Sequence, residues 1–119
     1  MHQCDFSERI LNAGSASEEH ERISASMEKS KGVFVALDER GKGMSSTEFA
    51  GWIGKQRDLA VPITFVIGGA YGLSDAIRQQ SSLVLSVSRM TLPHELCKLF
   101  FLEQLYRAHT ILAGTGYHH

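Results

Sequence analysis

His94 is the residue of this chain with the clearest opening to chemistry. It follows Pro93 at the point where an apolar run, Leu83 to Val87, turns through Ser88-Arg89-Met90-Thr91-Leu92 into a long helix. Proline at a first helical position, Glu95 in the first turn and Thr91 as a cap give that helix a defined start. A strand that runs into a helix N-terminus is where α/β proteins put ligands, because unpaired amide N–H groups point outward there. Residues 85 to 94 are therefore the expected place of the chemistry. The positive end of the helix dipole favours a neutral imidazole at His94, able to take or give a proton; a histidine in this position serves equally well as a cap or core residue. Arg107 lies nearly four turns further along the same helix, roughly 20 Å away at about 1.5 Å per residue. One chain cannot bring both to one site, but antiparallel helices of two chains would set Arg107 and the tail 114–119 of one beside His94 of the other. Arg107 would then clamp a phosphate; the alternative is an ordinary ion pair with Glu103, four residues back.

The helix that carries these groups is itself unusual. From Leu96 to Leu102 its only charge is Lys98, so its apolar surface wraps wider than the single stripe of a surface helix. It needs two neighbours. One is the sheet of its own chain, and the other is a second copy of the same helix in a two-fold dimer, unless the helix is wholly buried inside one domain.

The elements that must position these groups read as alternating helices and strands. Residues 1 to 14 carry little periodicity, and Ala16 to Lys29 reads as a surface helix with Ile23 and Met27 four apart. Val33 to Leu37 is an unbroken apolar run of the kind a buried parallel strand needs, followed by a charged, glycine-bearing loop at 38–43. Ser45 or Ser46 caps a helix with Glu48 in its first turn. Val61 to Ile67 is a second apolar run, with Pro62 near its start, and it ends in Gly68-Gly69-Ala70-Tyr71-Gly72 before Ser74 caps a short helix. The resulting order implies an α/β fold, a parallel sheet with helices on both faces. Loops 38–43, 68–72 and 86–92 all follow strand C-termini and should open on one sheet edge. Their glycines allow a ligand to approach the backbone closely, or simply make tight turns. Neither GxGxxG nor GxxxxGK[ST] occurs.

Composition sets the outer limits. With 119 residues, 43% hydrophobic and 21% charged, the chain makes one ordinary globular domain. A net charge of −1 argues against a general basic coat for nucleic acid but leaves room for a local basic site. No apolar run approaches the length of a membrane span, the first residues lack the pattern of a secretory signal, and Cys4 and Cys97 have no metal-ligand spacing. No membrane and no metal are expected, and a reduced cytoplasmic setting fits best.

Six segments together carry a family likeness: ALDERGK at 36–42, SSTEFA at 45–50, FVIGGAYGL at 65–73, LSVSRMTLPHEL at 85–96, EQLYRAHTIL at 103–112 and GYHH at 116–119. In order and spacing the chain from about Lys31 onward resembles the bacterial large-subunit (23S) ribosomal RNA pseudouridine N3-methyltransferases of the SPOUT superfamily. The resemblance implies a SPOUT-type trefoil-knotted fold, a homodimer, S-adenosyl-L-methionine as cofactor and ribosomal RNA of the large subunit as partner. It divides the chain into a leader and surface helix, 1–30, and a cofactor-binding methyltransferase domain, 31–119. The cofactor-binding positions it implies are Leu37, Gly68, Gly69, Val87, Ser88, Arg89, Met90, Thr91 and Leu92. Around the RNA target it implies Arg107, Tyr117 and His118. A base must take the N3 proton, and His94 and His118 are the two catalytic candidates. Basic and aromatic groups around a presented base suit RNA better than a duplex groove. Two departures stand out. Tyr71 occupies a position where the family has a small or acidic residue, and about forty N-terminal residues of the family pattern have no counterpart, which should leave Ile63 to Ile67 as a bare apolar sheet edge. A second reading follows: an N-terminally truncated, catalytically inactive knotted module that only dimerises or binds cofactor.

Overall fold

A computed structural model of the chain describes residues 8–14, 16–68, 72–114 and 116. Among the described residues four strands and four helices alternate: β1 (Glu8–Gly14), α1 (Ser17–Lys29), β2 (Val33–Gly43), α2 (Ser46–Asp58), β3 (Ile63–Gly68), α3 (Asp75–Gln80), β4 (Leu83–Ser86) and α4 (His94–Ala113). The strands form one parallel sheet in the order β1-β3-β2-β4. The two central strands, β2 and β3, are apolar on both faces because helices cover both. Val35, Leu37, Ile63, Phe65 and Ile67 pack under α2 and α4. Phe34, Ala36 and Val66 pack on the other side with Met27 of α1 and Ile77 of α3. Passing from β1 to β2 and from β3 to β4, the chain crosses the sheet in one direction under α1 and α3. From β2 to β3 it crosses the opposite way under α2, so all three crossovers share one hand, as parallel connections do.

The start of the chain departs from the sequence reading. Residues 8–14, expected to lack regular structure, form β1 and pair with β3 from Glu8 opposite Ile63 to Asn12 opposite Ile67. The edge expected to lie bare is therefore covered. Two side chains anchor this strand. The Arg9 guanidinium donates to Thr64 Oγ1 at 3.0 Å. His109, near the far end of α4, donates from Nε2 to both carboxylate oxygens of Glu8, at 2.9 and 3.0 Å. His20 joins three elements at the other end of β1: its Nε2–H donates to Gly14 O at 3.0 Å and its Nδ1 accepts the Ser74 amide at 3.2 Å, a single neutral tautomer that satisfies both.

The Glu8 carboxylate raises the His109 pKa, against the opposing effect of burial. A histidine whose folded pKa lies above its unfolded value near 6.5 adds stability that is fully present below that value. The contribution is lost as pH rises through the raised folded pKa. The difference in unfolding midpoint between the native chain and Glu8→Gln is therefore expected to be largest near pH 6 and to shrink steadily toward pH 9 in a urea titration series. A difference that grows with pH would contradict this pairing.

Helix starts follow the sequence signals in two places. Ser45 caps α2 in a full capping box with Glu48, and Ser74 caps α3 through the Ile77 amide. At α4 the expectation is corrected: Pro93 occupies the N-cap, no side chain caps the helix, and Thr91 instead donates to Glu39 Oε2 at 2.8 Å.

Candidate functional site

The C-terminal ends of β2, β3 and β4 open on one edge, and the loops beyond them enclose a cleft of about 790 Å³. That volume suits a small cofactor or metabolite. Its apolar floor is Leu37, Ile67 and Leu85, the last buried apolar residues of the three strands; Asp38, Glu39, Arg40, Gly68, Gly72 and the segment beyond β4 form the walls. Of the positions expected to bind cofactor, Leu37, Gly68, Val87, Ser88, Met90, Thr91 and Leu92 line the cleft. Arg89 is exposed and does not line it. Gly69 lies outside the described residues, as do Tyr117 and His118.

Every pair of loops is tied across this cleft. The first loop is part of β2, which pairs with Leu85 twice, through Leu37 and again through Lys42, so that residues 38–41 bulge outward between the two contacts. From that bulge Glu39 reaches Thr91 in the third loop, and Asp38 accepts the Leu73 amide just past the second loop at 3.1 Å. The second and third loops meet where His94 Nδ1 lies 2.7 Å from the Gly68 carbonyl. A carbonyl oxygen only accepts, so Nδ1 carries a proton, and in the tautomer this contact selects the lone pair is on Nε2. The third loop is shaped by its own hydroxyls: Ser86 donates to Ser88 O at 2.7 Å, and Ser88 Oγ accepts the Met90 amide at 3.0 Å.

Two titrating groups in the wall are fixed by their surroundings. Burial would push the Asp38 carboxyl up. Hydrogen bonds from the Arg40 side chain and from the Arg40 and Leu73 amides outweigh that, and hold it well below the usual carboxylate range. Burial pushes the Cys97 thiol up, which keeps it a thiol at neutral pH rather than a nucleophilic thiolate. Among the described residues no group of three or more His, Cys, Asp or Glu side chains comes together in a way that could hold a metal ion.

Arg107 does not reach this cleft within the chain. It pairs with Glu103 at 2.7 Å, the helical ion pair given above as the alternative to a phosphate clamp. Sequence reasoning placed loops 38–43 and 68–72 at the cleft without singling out Asp38, Glu39, Arg40 or Gly72, and it missed Cys97. The signal available for the first three was a block of charge placed directly at the end of an apolar strand.

A parallel sheet with a cofactor-sized cleft at its C-terminal edge, walled by three glycine- and serine-bearing loops and a helix N-terminus, defines an α/β ligand-binding domain. The family model described as predicted SPOUT methyltransferase matches residues 6–118, and the chain belongs to that family. It is similar to proteins named ribosomal RNA large subunit methyltransferase H. The Geobacter metallireducens protein is 52% identical over 86 residues, covering 71% of this chain and 56% of the relative. The protein from Geobacter sp. strain M21 is 47% identical over 102 residues, covering 85% and 66%. The Rhodopseudomonas palustris protein is 44% identical over 111 residues, covering 92% and 69%. The chain thus matches little more than half to two thirds of the length of these relatives.

Proposed function

We propose that this chain binds S-adenosyl-L-methionine in the cleft and, as a homodimer, methylates N3 of a pseudouridine in large-subunit ribosomal RNA. The observation that carries the reading is the closure of three strand-end loops around one cofactor-sized cleft with His94 on its rim. Family membership and the names of the relatives support the reaction class and the substrate. The residues present fit the cofactor: an apolar floor suits an adenine ring, and Gly68 presents only backbone atoms to the cleft.

When bound, S-adenosyl-L-methionine supplies a methyl group already activated on a sulfonium. The chain's own task is mainly alignment and proton removal. With Nδ1 engaged by Gly68, His94 offers Nε2 as the acceptor for the N3 proton; His118 is the other candidate. Arg107 and Tyr117 are assigned to the RNA, reaching it from the second subunit. The outward side of α4 supports pairing of two copies. Leu96, Leu99, Phe100, Leu102 and Tyr106 are all substantially exposed there, Leu99 to 64%, a larger apolar surface than a lone helix face normally leaves in water. The argument for an inactive remnant was that part of the sheet is gone; β1 supplies a strand beside β3, which speaks against it.

The test is direct. Calorimetric titration is expected to give one S-adenosyl-L-methionine site per chain. Labelled methyl should pass to large ribosomal subunits from a bacterium lacking the modification and not to subunits that already carry it. Absence of both binding and transfer would overturn the reading.

A further inference from the structure

The wall of the cleft contains a carboxylate that this chemistry does not use. The Asp38 side chain is 1% exposed, yet four donors surround it. Its Oδ1 accepts the Arg40 amide at 2.9 Å and Arg40 Nε at 2.8 Å; its Oδ2 accepts Arg40 Nη2 at 2.7 Å and the Leu73 amide at 3.1 Å. The carbonyl of Leu73 is held as well, by Arg40 Nη2 at 3.2 Å and Arg78 Nε at 3.3 Å. Both backbone groups of Leu73 are thereby fixed to charged side chains, two of them from the first loop. A buried carboxylate with every lone pair engaged is rigid, and removing one acceptor strands a donor.

What Leu73 fixes is the Gly68 wall. Gly72, directly before it, has φ +79°, a conformation that favours glycine, and a Cβ there would sit 3.0 Å from Asp38 Oδ2 and from Arg40 Nη2. Gly72 in turn lies hard against Gly68: a Cβ on Gly68 would be 2.8 Å from the Gly72 carbonyl carbon and 2.9 Å from Leu73 Cγ. The Gly68 carbonyl accepts from His94. Contact therefore runs without slack from Asp38 through Leu73 and Gly72 to Gly68 and across the cleft to His94.

We propose that Asp38 is the positioning residue of this cleft, holding the Gly68 wall so that its carbonyl fixes the placement and tautomer of His94. The proposal rests on the reading of the cleft as the S-adenosyl-L-methionine site for its consequence on binding, but its geometric content can be read without cofactor. Asp38→Asn is the sharpest variant, because whichever way its amide turns, the NH₂ faces donors from Arg40 or Leu73.

The experiment follows the imidazole nitrogens of His94 by NMR in the native chain, Asp38→Asn and Arg40→Lys, with titration of S-adenosyl-L-methionine into each. The native ring is expected to report the Nδ1–H tautomer. Both variants should shift it toward a mixture with Nε2–H and weaken cofactor binding about tenfold, the equivalent of one lost charge-assisted hydrogen bond. The His109 ring, paired with Glu8 at the opposite edge, should not move. If Asp38→Asn fails to fold, Arg40→Lys decides, since Arg40 is half exposed. A His94 signal unmoved in the folded variants overturns the proposal; a moved signal with unchanged affinity overturns only its consequence for cofactor binding. A native chain that binds no S-adenosyl-L-methionine while His94 still shifts on mutation overturns the cofactor reading and leaves the positioning role supported.

Discussion

Replacing His94 by alanine is expected to lower the rate of methyl transfer by about 10²- to 10⁴-fold, the usual worth of a positioned general base. The expectation follows from one contact. Because Nδ1–H donates to the Gly68 carbonyl, Nε2 is left as an acceptor at the rim of the cleft. Alanine removes that acceptor and also frees the carbonyl, so cofactor affinity should fall by a smaller factor than the rate. Single-turnover transfer to unmodified large subunits at saturating S-adenosyl-L-methionine separates the two effects. A rate within a few-fold of the native chain would move the base to another residue, His118 first.

The second large effect is on stability. Phe101→Ala is expected to cost about 3–5 kcal/mol in unfolding free energy, the range for removing a buried aromatic ring. Phe101 is fully buried under the sheet, with its ring centroid 4.8 Å from that of Phe65 and 6.0 Å from that of Phe49. It is one of the points at which α4 joins both α2 and β3. Domains of this kind have only about 5–15 kcal/mol in total, so urea unfolding should show a strongly lowered midpoint, and the variant should be partly unfolded at growth temperature. A loss below about 1 kcal/mol would mean that α4 is held by something other than this aromatic cluster.

How much of this was legible in the residues depended on burial. Val33–Leu37 and Val61–Ile67 read as strands, the second starting in fact at Ile63, because central parallel strands are apolar on both faces, a pattern that composition alone reveals. The ends of those runs also located Asp38–Arg40 and Gly68, which border the cleft. β1 did not read as a strand: Glu8–Gly14 lies at the sheet edge, where one face meets solvent, and its pairing is set by β3 some 55 residues away rather than by its own periodicity. The Asp38 role was hidden for a related reason. A charged block after a strand is ordinarily a solvated loop, and nothing local says that this one folds back onto Leu73. Thr91 had the chemistry of a helix cap, but its hydroxyl found Glu39 instead, a partner 52 residues distant in sequence.

The order β1-β3-β2-β4 also constrains how such a sheet can be assembled. Only β2 and β3 are neighbours both in the sheet and along the chain, so Val33–Gly68 is the shortest segment that contains a complete pair of strands. Each outer strand must close a long loop before any ladder bond rewards it, which sets the topology among the high contact orders that refold slowly. The cleft, drawing its walls from β2, β3 and β4 together, exists only once the outer strand β4 has docked, so the ability to hold a ligand arrives late in refolding.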